Sequence, residues 1–232
     1  MLENRNFSFL NLFDGAFFIS IDGPNGCGKT TVINELAECF KNAEIKFKLK
    51  EEPRPGGYVR TKIVEAKNPA QLSQMEIMKC FMKERDSNIK YRYIPQMLMG
   101  NHIICSRHLV STHVYQGEFG DLGADVINEK YQKTLNNPFV RLCNFKGLSF
   151  QISLQLDLNT LLQRRNNRKA NGQEATDNME QSAKAEIAAY NKRYFPEQIF
   201  VDANGTSEQI CLNIINAVRQ EVMERIMSGK LR

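Results

Sequence analysis

Short apolar runs alternate with amphipathic stretches along this chain. AFFISI (16–21) is almost continuously apolar, as a strand buried on both faces of a parallel sheet would be. After a Gly-rich turn, TTVINELAECF spaces Val32, Leu36 and Phe40 by four residues, with Ile33 and Ala37 beside them, which predicts a helix. EIKFKLKEEP (44–53) alternates Ile45, Phe47 and Leu49 in the manner of a half-buried strand, and PRPGGY (53–58) is turn chemistry. From Ser73 to Met99 a helical stripe runs through Met75, Met78, Met82, Ile89, Tyr93 and Met97, with Pro95 kinking or ending it. HIICS (102–106) reads as another buried strand, followed by helix or loop from about Leu109 to Asn136. FQISLQLDL (150–158) predicts a strand and TLLQRRNNRK the start of a helix. KANGQEATDNME (169–180) holds almost no large apolar residue and reads as a mobile loop. SAKAEIAAYNKRYF (182–195) is helical and QIFVDAN (198–204) is the last strand. The final helix places Cys211, Ile214, Ile215, Val218, Val222 and Ile226 on one face.

Five short strands alternating with helices specify an α/β fold, a parallel five-stranded sheet flanked by helices on both faces. Such sheets bind ligands at the carboxyl ends of their strands. Asp22, Glu52, Ser106 and Asp157 all fall at or just past predicted strand ends, so they are expected along one edge of the sheet. The 232 residues fit a single domain over 1–232. At 42% hydrophobic and 25% charged, the composition is that of an ordinary soluble globular protein. The balance of 31 basic against 26 acidic residues gives +5 without a concentrated basic stripe, so nucleic acid is not an expected partner. The six cysteines, at 27, 39, 80, 105, 143 and 211, form no CxxC pair, and His102, His108 and His113 form no metal set. A reducing, cytoplasmic interior is the expected setting. No apolar run approaches the roughly 20 residues of a membrane span. Glu3, Arg5 and Asp14 interrupt the N-terminal apolar residues, which lack signal-peptide organisation.

The chemistry concentrates first in Gly23-Pro-Asn25-Gly26-Cys27-Gly28-Lys29-Thr30-Thr31, which fits GxxxxGK[ST] between a strand and a helix. Glycines let backbone N–H groups converge on phosphate oxygens, and the helix N-terminus adds its positive dipole end. Lys29 can reach the β- and γ-phosphates, and the Thr30 hydroxyl can hold Mg²⁺. This implies a nucleoside triphosphate site. No NKxD and no apolar strand ending in paired acids follows, and arginines cluster late in the chain, which favours a small phosphotransferase.

Four further segments extend the picture. They are EEPRPGGYVRTKI (51–63), FMKERDSNIKYRYIPQMLMG (81–100), IICSRHLVSTHVYQG (103–117) and LQLDLNTLLQRRNNRKANG…TDNME. With the loop they resemble, in order and spacing over about 16–226, the thymidylate kinase family. That family's patterns are EGxDGxGKTT, REPGGT, FAADRxxHxxxxIxPxLxxG, VIxDRYxxSSxAYQG and YLDVPxExxxxRxxxR…DRxE. The resemblance implies a P-loop kinase fold with a mobile lid at about 164–181, ATP as donor with Mg²⁺, dTMP as acceptor and a homodimer. It implies that Phe81 stacks on the thymine ring and Arg85 reads its edge, the two sharing a helix face. Arg107 would grip the acceptor phosphate, a task suited to a planar guanidinium. Ser111, Thr112, Tyr115 and Gln116 match the nucleoside-binding stretch. Arg164, Arg165 and Arg168 would bring positive charge to the transferring phosphoryl group as the lid closes. In the 51–57 segment either Glu52 or Arg54 would face substrate.

The chain departs from the family pattern at chemical positions. Ser106 stands where the family has the aspartate of DRY, Asn25 replaces a P-loop acid, and Asn178 replaces the lid arginine of DRxE. Two other readings therefore stay open. A deoxynucleoside kinase would use Glu51 or Glu52 as general base, and a regulatory relative would bind nucleotide without catalysis.

Overall fold

Five strands form one parallel sheet: β1 (Phe18–Asp22), β2 (Phe47–Glu51), β3 (His102–Ser106), β4 (Ser149–Gln155) and β5 (Gln198–Asp202). Their order is β2-β3-β1-β4-β5. The structure, a computed structural model, describes residues 15–65, 72–170 and 179–231. The chain moves to one side of β1 for β2 and β3, then crosses to the other for β4 and β5. That change of direction opens a crevice at the carboxyl end of β1, where the Gly-rich loop begins.

β1 is buried along its whole length because it has helices on both sides. Phe17, Ile19 and Ile21 pack with α1 (Lys29–Asn42) and α9 (Ser207–Met227). Phe18 points the other way, toward α2 (Gln74–Asn88), α3 (Ile94–Leu98) and α5 (Ala124–Leu135). Each large apolar side chain so removed from water contributes about 1.5–3 kcal/mol. The methionine stripe is core: Met78, Met82, Ile89, Tyr93 and Met97 are buried, and Met75 packs at its margin.

α2 begins where Ser73 and Glu76 cap each other reciprocally. It does not run straight to Pro95. A wider π-helical turn, Ile89–Tyr93, intervenes, and Pro95 sits in the first turn of α3, where a missing N–H costs little. The stretch after β3 is α4 (Leu109–Thr112), a second π-helical turn (His113–Glu118) and α5. A short helix not foreseen from the pattern, α6 (Pro138–Leu142), is capped by the Asn137 side chain. α7 (Leu158–Ala170) and α8 (Met179–Tyr190) flank residues 171–178. Residues 171–178 of the expected lid, Asn178 among them, therefore lie outside the described residues.

Three expectations need correction. Leu49 is 45% exposed, because β2 is an edge strand. Ile226 is also exposed, since it falls in the last turn of α9 beyond the packed segment. The helix predicted over 182–195 stops at Tyr190, and a turn leads into β5.

Candidate active site

The phosphate loop follows directly from its glycines. Gly28, the residue before α1, has φ 99°, and Gly26 has φ 87°, both left-handed values that side chains disfavour. At Gly26 a Cβ would also come within 2.9 Å of the Arg165 side chain. Lys29 is buried and folds back on the loop, its Nζ donating to the carbonyls of Gly23 and Pro24 at 2.8 Å each. Burial lowers its pKa from 10.5 to about 8. Bound phosphate supplies the opposite charge and restores the protonated form. ATP binding is therefore expected to take up a proton at about pH 9 and almost none at about pH 7. Titration calorimetry in buffers of different ionisation enthalpy reads this directly, and equal proton counts at both pH values would sink the assignment.

Beside the loop lies a cleft of about 360 Å³, lined by Gly26, Gly28, Thr31, Arg164, Arg168 and the turn Gly205-Thr206 before α9. The three lid arginines divide. Arg164 donates to Cys27 O at 2.6 Å and to Gly205 O at 2.9 Å. Arg165 donates to Asn25 O at 2.9 Å and pairs with Glu186 at 3.0 Å. Glu186 also accepts from the Asn25 N–H at 2.5 Å, tying α8 to the loop. Both guanidinium groups thus brace the phosphate loop. Arg168, exposed and with no hydrogen-bond partner among the described residues, faces the cleft.

On the other side of Asn25 a larger cleft of about 520 Å³ is lined by Phe81, Arg85, Arg107, Thr112, Tyr115 and Gln116, among others. Phe81 belongs to this wall and to neither core cluster. Arg107 follows β3 in a left-handed conformation, φ 65°. Its guanidinium donates to Asn25 Oδ1 at 3.0 Å, Tyr190 OH at 3.2 Å and Ser111 Oγ at 3.3 Å, and lies over the Tyr115 ring. Asn25, in place of an acid, therefore joins the phosphate loop to the residue best suited to a second phosphate.

Arg85 is only 2% exposed, and its contacts are internal. It donates to Glu52 at 2.8 Å and to His108 O and Thr112 Oγ1 at 3.0 Å each. The other Glu52 oxygen accepts from Tyr93 OH at 2.9 Å. Glu52 is thus the floor of the cleft, while Arg54 lies toward Thr30 and Ser106 in a separate opening. Glu51 pairs with Arg60. Neither carboxylate considered as a general base is unpaired.

Thr30, Ser106 and Glu51 line that third opening, which leads to the start of α1. Lys50, Arg54 and Arg92 line it too, and the Glu51 carboxylate is taken by Arg60, so the two hydroxyls are the hard donors left for Mg²⁺ that arrives on ATP and keeps several waters. Among the described residues no group of three or more His, Cys, Asp or Glu is arranged to hold a metal unaided.

Sequence reasoning missed several participants. Asp22 reads in the sequence only as a strand-end residue, yet it anchors the turn after β3. Glu186, Tyr190, Gly205 and Thr206 carried no local signal, since their partners lie far away in the chain.

A phosphate loop between two clefts, with an arginine where it meets the larger one, fits a P-loop phosphotransferase of small molecules. A family model for thymidylate kinase matches residues 21–214. The chain belongs to the thymidylate kinase family. It is 25% identical over 226 residues to a thymidylate kinase of Bradyrhizobium sp. (strain ORS 278), covering 91% of this chain and 93% of that protein. A thymidylate kinase of Rhodopseudomonas palustris (strain ATCC BAA-98 / CGA009) is 25% identical over 225 residues, 91% of this chain and 92% of that one. One from Leptospira interrogans (serovar copenhageni) is 28% identical over 203 residues, 85% and 92% of the two chains.

Proposed function

We infer that this chain transfers the γ-phosphoryl group of ATP to dTMP, giving dTDP and ADP. The observation that carries this reading is Arg107, held by Asn25 and Tyr190 where the phosphate loop meets the larger cleft. A guanidinium at that junction suits an acceptor that already carries a phosphate, and so favours a monophosphate over a free nucleoside.

In this reading ATP lies against Gly23–Thr31, with its triphosphate on the backbone N–H groups and Lys29 released from its own loop to meet it. Arg107 grips the acceptor phosphate and brings its oxygen in line with the γ-phosphoryl group. Phe81 offers a face to the base, and Gln116 and Thr112 offer polar contacts at its edge. Arg85 acts at the base only through the side facing the cleft, since Glu52 and Thr112 already occupy much of it. Arg164 and Arg165 keep the loop in shape, and Arg168 approaches the phosphates from the donor side. Mg²⁺, when bound, would be held by Thr30 and phosphate oxygens and would neutralise charge on the phosphates. Ser106 supplies a hydroxyl where the family pattern has a carboxylate. A homodimer in the cytoplasm completes the proposal. Its support is the family resemblance together with exposed apolar side chains such as Tyr91, Leu98 and Met99, and sedimentation of the purified chain tests the dimer. No helix among the described residues is long and apolar enough to cross a membrane.

The test is ADP production from ATP and Mg²⁺ with a panel of deoxynucleoside monophosphates and free nucleosides, with Lys29→Ala as the blank. Lysine-dependent turnover with dTMP is the expected result. Turnover only with a nucleoside would replace this reading with a deoxynucleoside kinase. ATP binding without acceptor-stimulated turnover would leave a regulatory protein.

A further inference from the structure

Asp22 is the last residue of β1 and is fully buried. Its carboxylate does not face either cleft, yet it is the most heavily engaged acid near them. Oδ1 accepts from the backbone N–H groups of His108 and Ser111, both at 3.0 Å, and from the Ser111 hydroxyl at 2.5 Å. Oδ2 accepts a second, longer bond from the His108 N–H at 3.1 Å. These donors belong to the first turn of α4, whose own preceding residue, His108, provides no side-chain cap. The His108 ring is directed at Gln151 instead. A carboxylate from another strand therefore supplies the cap that the local sequence lacks.

The turn so anchored contains Arg107, and the anchor reaches its side chain. The Ser111 hydroxyl donates its proton to Asp22 and offers its lone pairs to Arg107 and Tyr190. Asp22, Ser111 and Arg107 form one chain of polar contacts in which the proton direction at Ser111 is dictated by the buried charge. An asparagine at 22 would keep one weaker acceptor and set an amide NH₂ against the N–H donors of the turn, loosening the hold on Ser111 and, through it, on the guanidinium.

We propose that Asp22 is a positioning residue for the acceptor phosphate: it sets the left-handed turn at Arg107 and orients Ser111 so that the guanidinium is held ready. This rests on the reading that Arg107 grips the acceptor. It predicts that Asp22→Asn lowers kcat/KM for dTMP at least tenfold, mainly through KM for dTMP, while the dissociation constant for ATP changes less than twofold. A role in folding alone would weaken both nucleotides together and lower the melting temperature in proportion.

The deciding experiment is a double-mutant cycle on turnover. In an Arg107→Ala background, Asp22→Asn is expected to cause little further loss, because the group it positions is gone. Additive losses in an enzyme that turns over dTMP would overturn the positioning role and leave the activity standing. Absence of dTMP turnover in the unaltered protein would overturn the activity and this proposal with it. Should Asp22→Asn fail to fold, Ser111→Ala cuts the same chain at its middle while keeping the His108 and Ser111 N–H bonds to Asp22. It is expected to show the same rise in KM and the same lack of additivity with Arg107→Ala, and additivity there would be equally fatal.

Discussion

Lowering the pH from about 7 to about 4.5 is expected to unfold this protein, with three buried histidines as the main cause. Burial lowers the pKa of His102 from 6.5 to about 4, of His108 to about 3 and of His113 to about 4. Geometry agrees with the neutral forms. The Phe17 N–H donates to His102 Nδ1 at 3.0 Å, which needs a free lone pair there. His108 Nε2 and His113 Nδ1 are buried without hydrogen-bond partners, so a proton added to either would have no acceptor. Glu52 lies 4.0 Å from His108 but is already paired with Arg85, whose charge opposes protonation.

The sign follows from linkage. Above pH 6.5 the histidines are neutral in folded and unfolded chains alike, and their contribution is fully present. As the pH falls from 6.5 toward 4 the unfolded chain binds protons that the folded one refuses, and stability is lost. Where all three sites differ, the loss is about 4 kcal/mol per pH unit, and the limiting total is about 12 kcal/mol. A domain's whole stability is roughly 5–15 kcal/mol. Urea midpoints at several pH values and constant ionic strength measure this. His108→Gln is expected to reduce the slope by about a third. A midpoint unchanged between about pH 7 and pH 5 would refute the account.

The second large effect belongs to the floor of the larger cleft. Glu52→Ala is expected to cost about 3–5 kcal/mol, because it strands the Arg85 guanidinium in a dry site and leaves Tyr93 OH without its acceptor. The double variant Glu52→Leu/Arg85→Met removes both charges and should lose less than the two single variants combined. Thermal or urea unfolding of the unaltered protein, Glu52→Ala, Glu52→Leu, Arg85→Met and the double variant gives the answer. A loss below about 1 kcal/mol for Glu52→Ala would mean that water reaches Arg85 and that the pair is not structural. The same experiment bears on substrate recognition, since Arg85 can keep its cleft-facing edge in place only while Glu52 holds the rest of it.

The strand, loop and helix around Lys29 were legible because all their determinants are consecutive: apolar residues, glycines, then an amphipathic run. Arg107 and Phe81 could be placed for the same reason, each lying within a short recognisable stretch. Asn25 was legible as a loop residue but not as the partner of Arg107, because that contact spans 82 positions. The bracing role of Arg165 depends on Glu186, which belongs to a different helix. Arg85 reads as a surface base-reader in the pattern KERDSN, and only tertiary structure shows that Glu52 and Thr112 draw it inside. The π-helical turn before Pro95 was invisible because hydrophobic spacing of three to four residues tolerates one extra residue without changing face.

β2 shows a different aspect of the same economy of residues. It leads into the turn that forms the cleft floor, and among the described residues it is the outermost strand, with one side of its backbone left without a neighbouring strand. An open edge is a template on which another extended chain can add itself. Lys48 and Lys50 stand on either side of the exposed Leu49, and Glu51 ends the strand. A second strand laid there in register would have to accommodate this row of charges. The lysines thus oppose sideways growth of the sheet into aggregates.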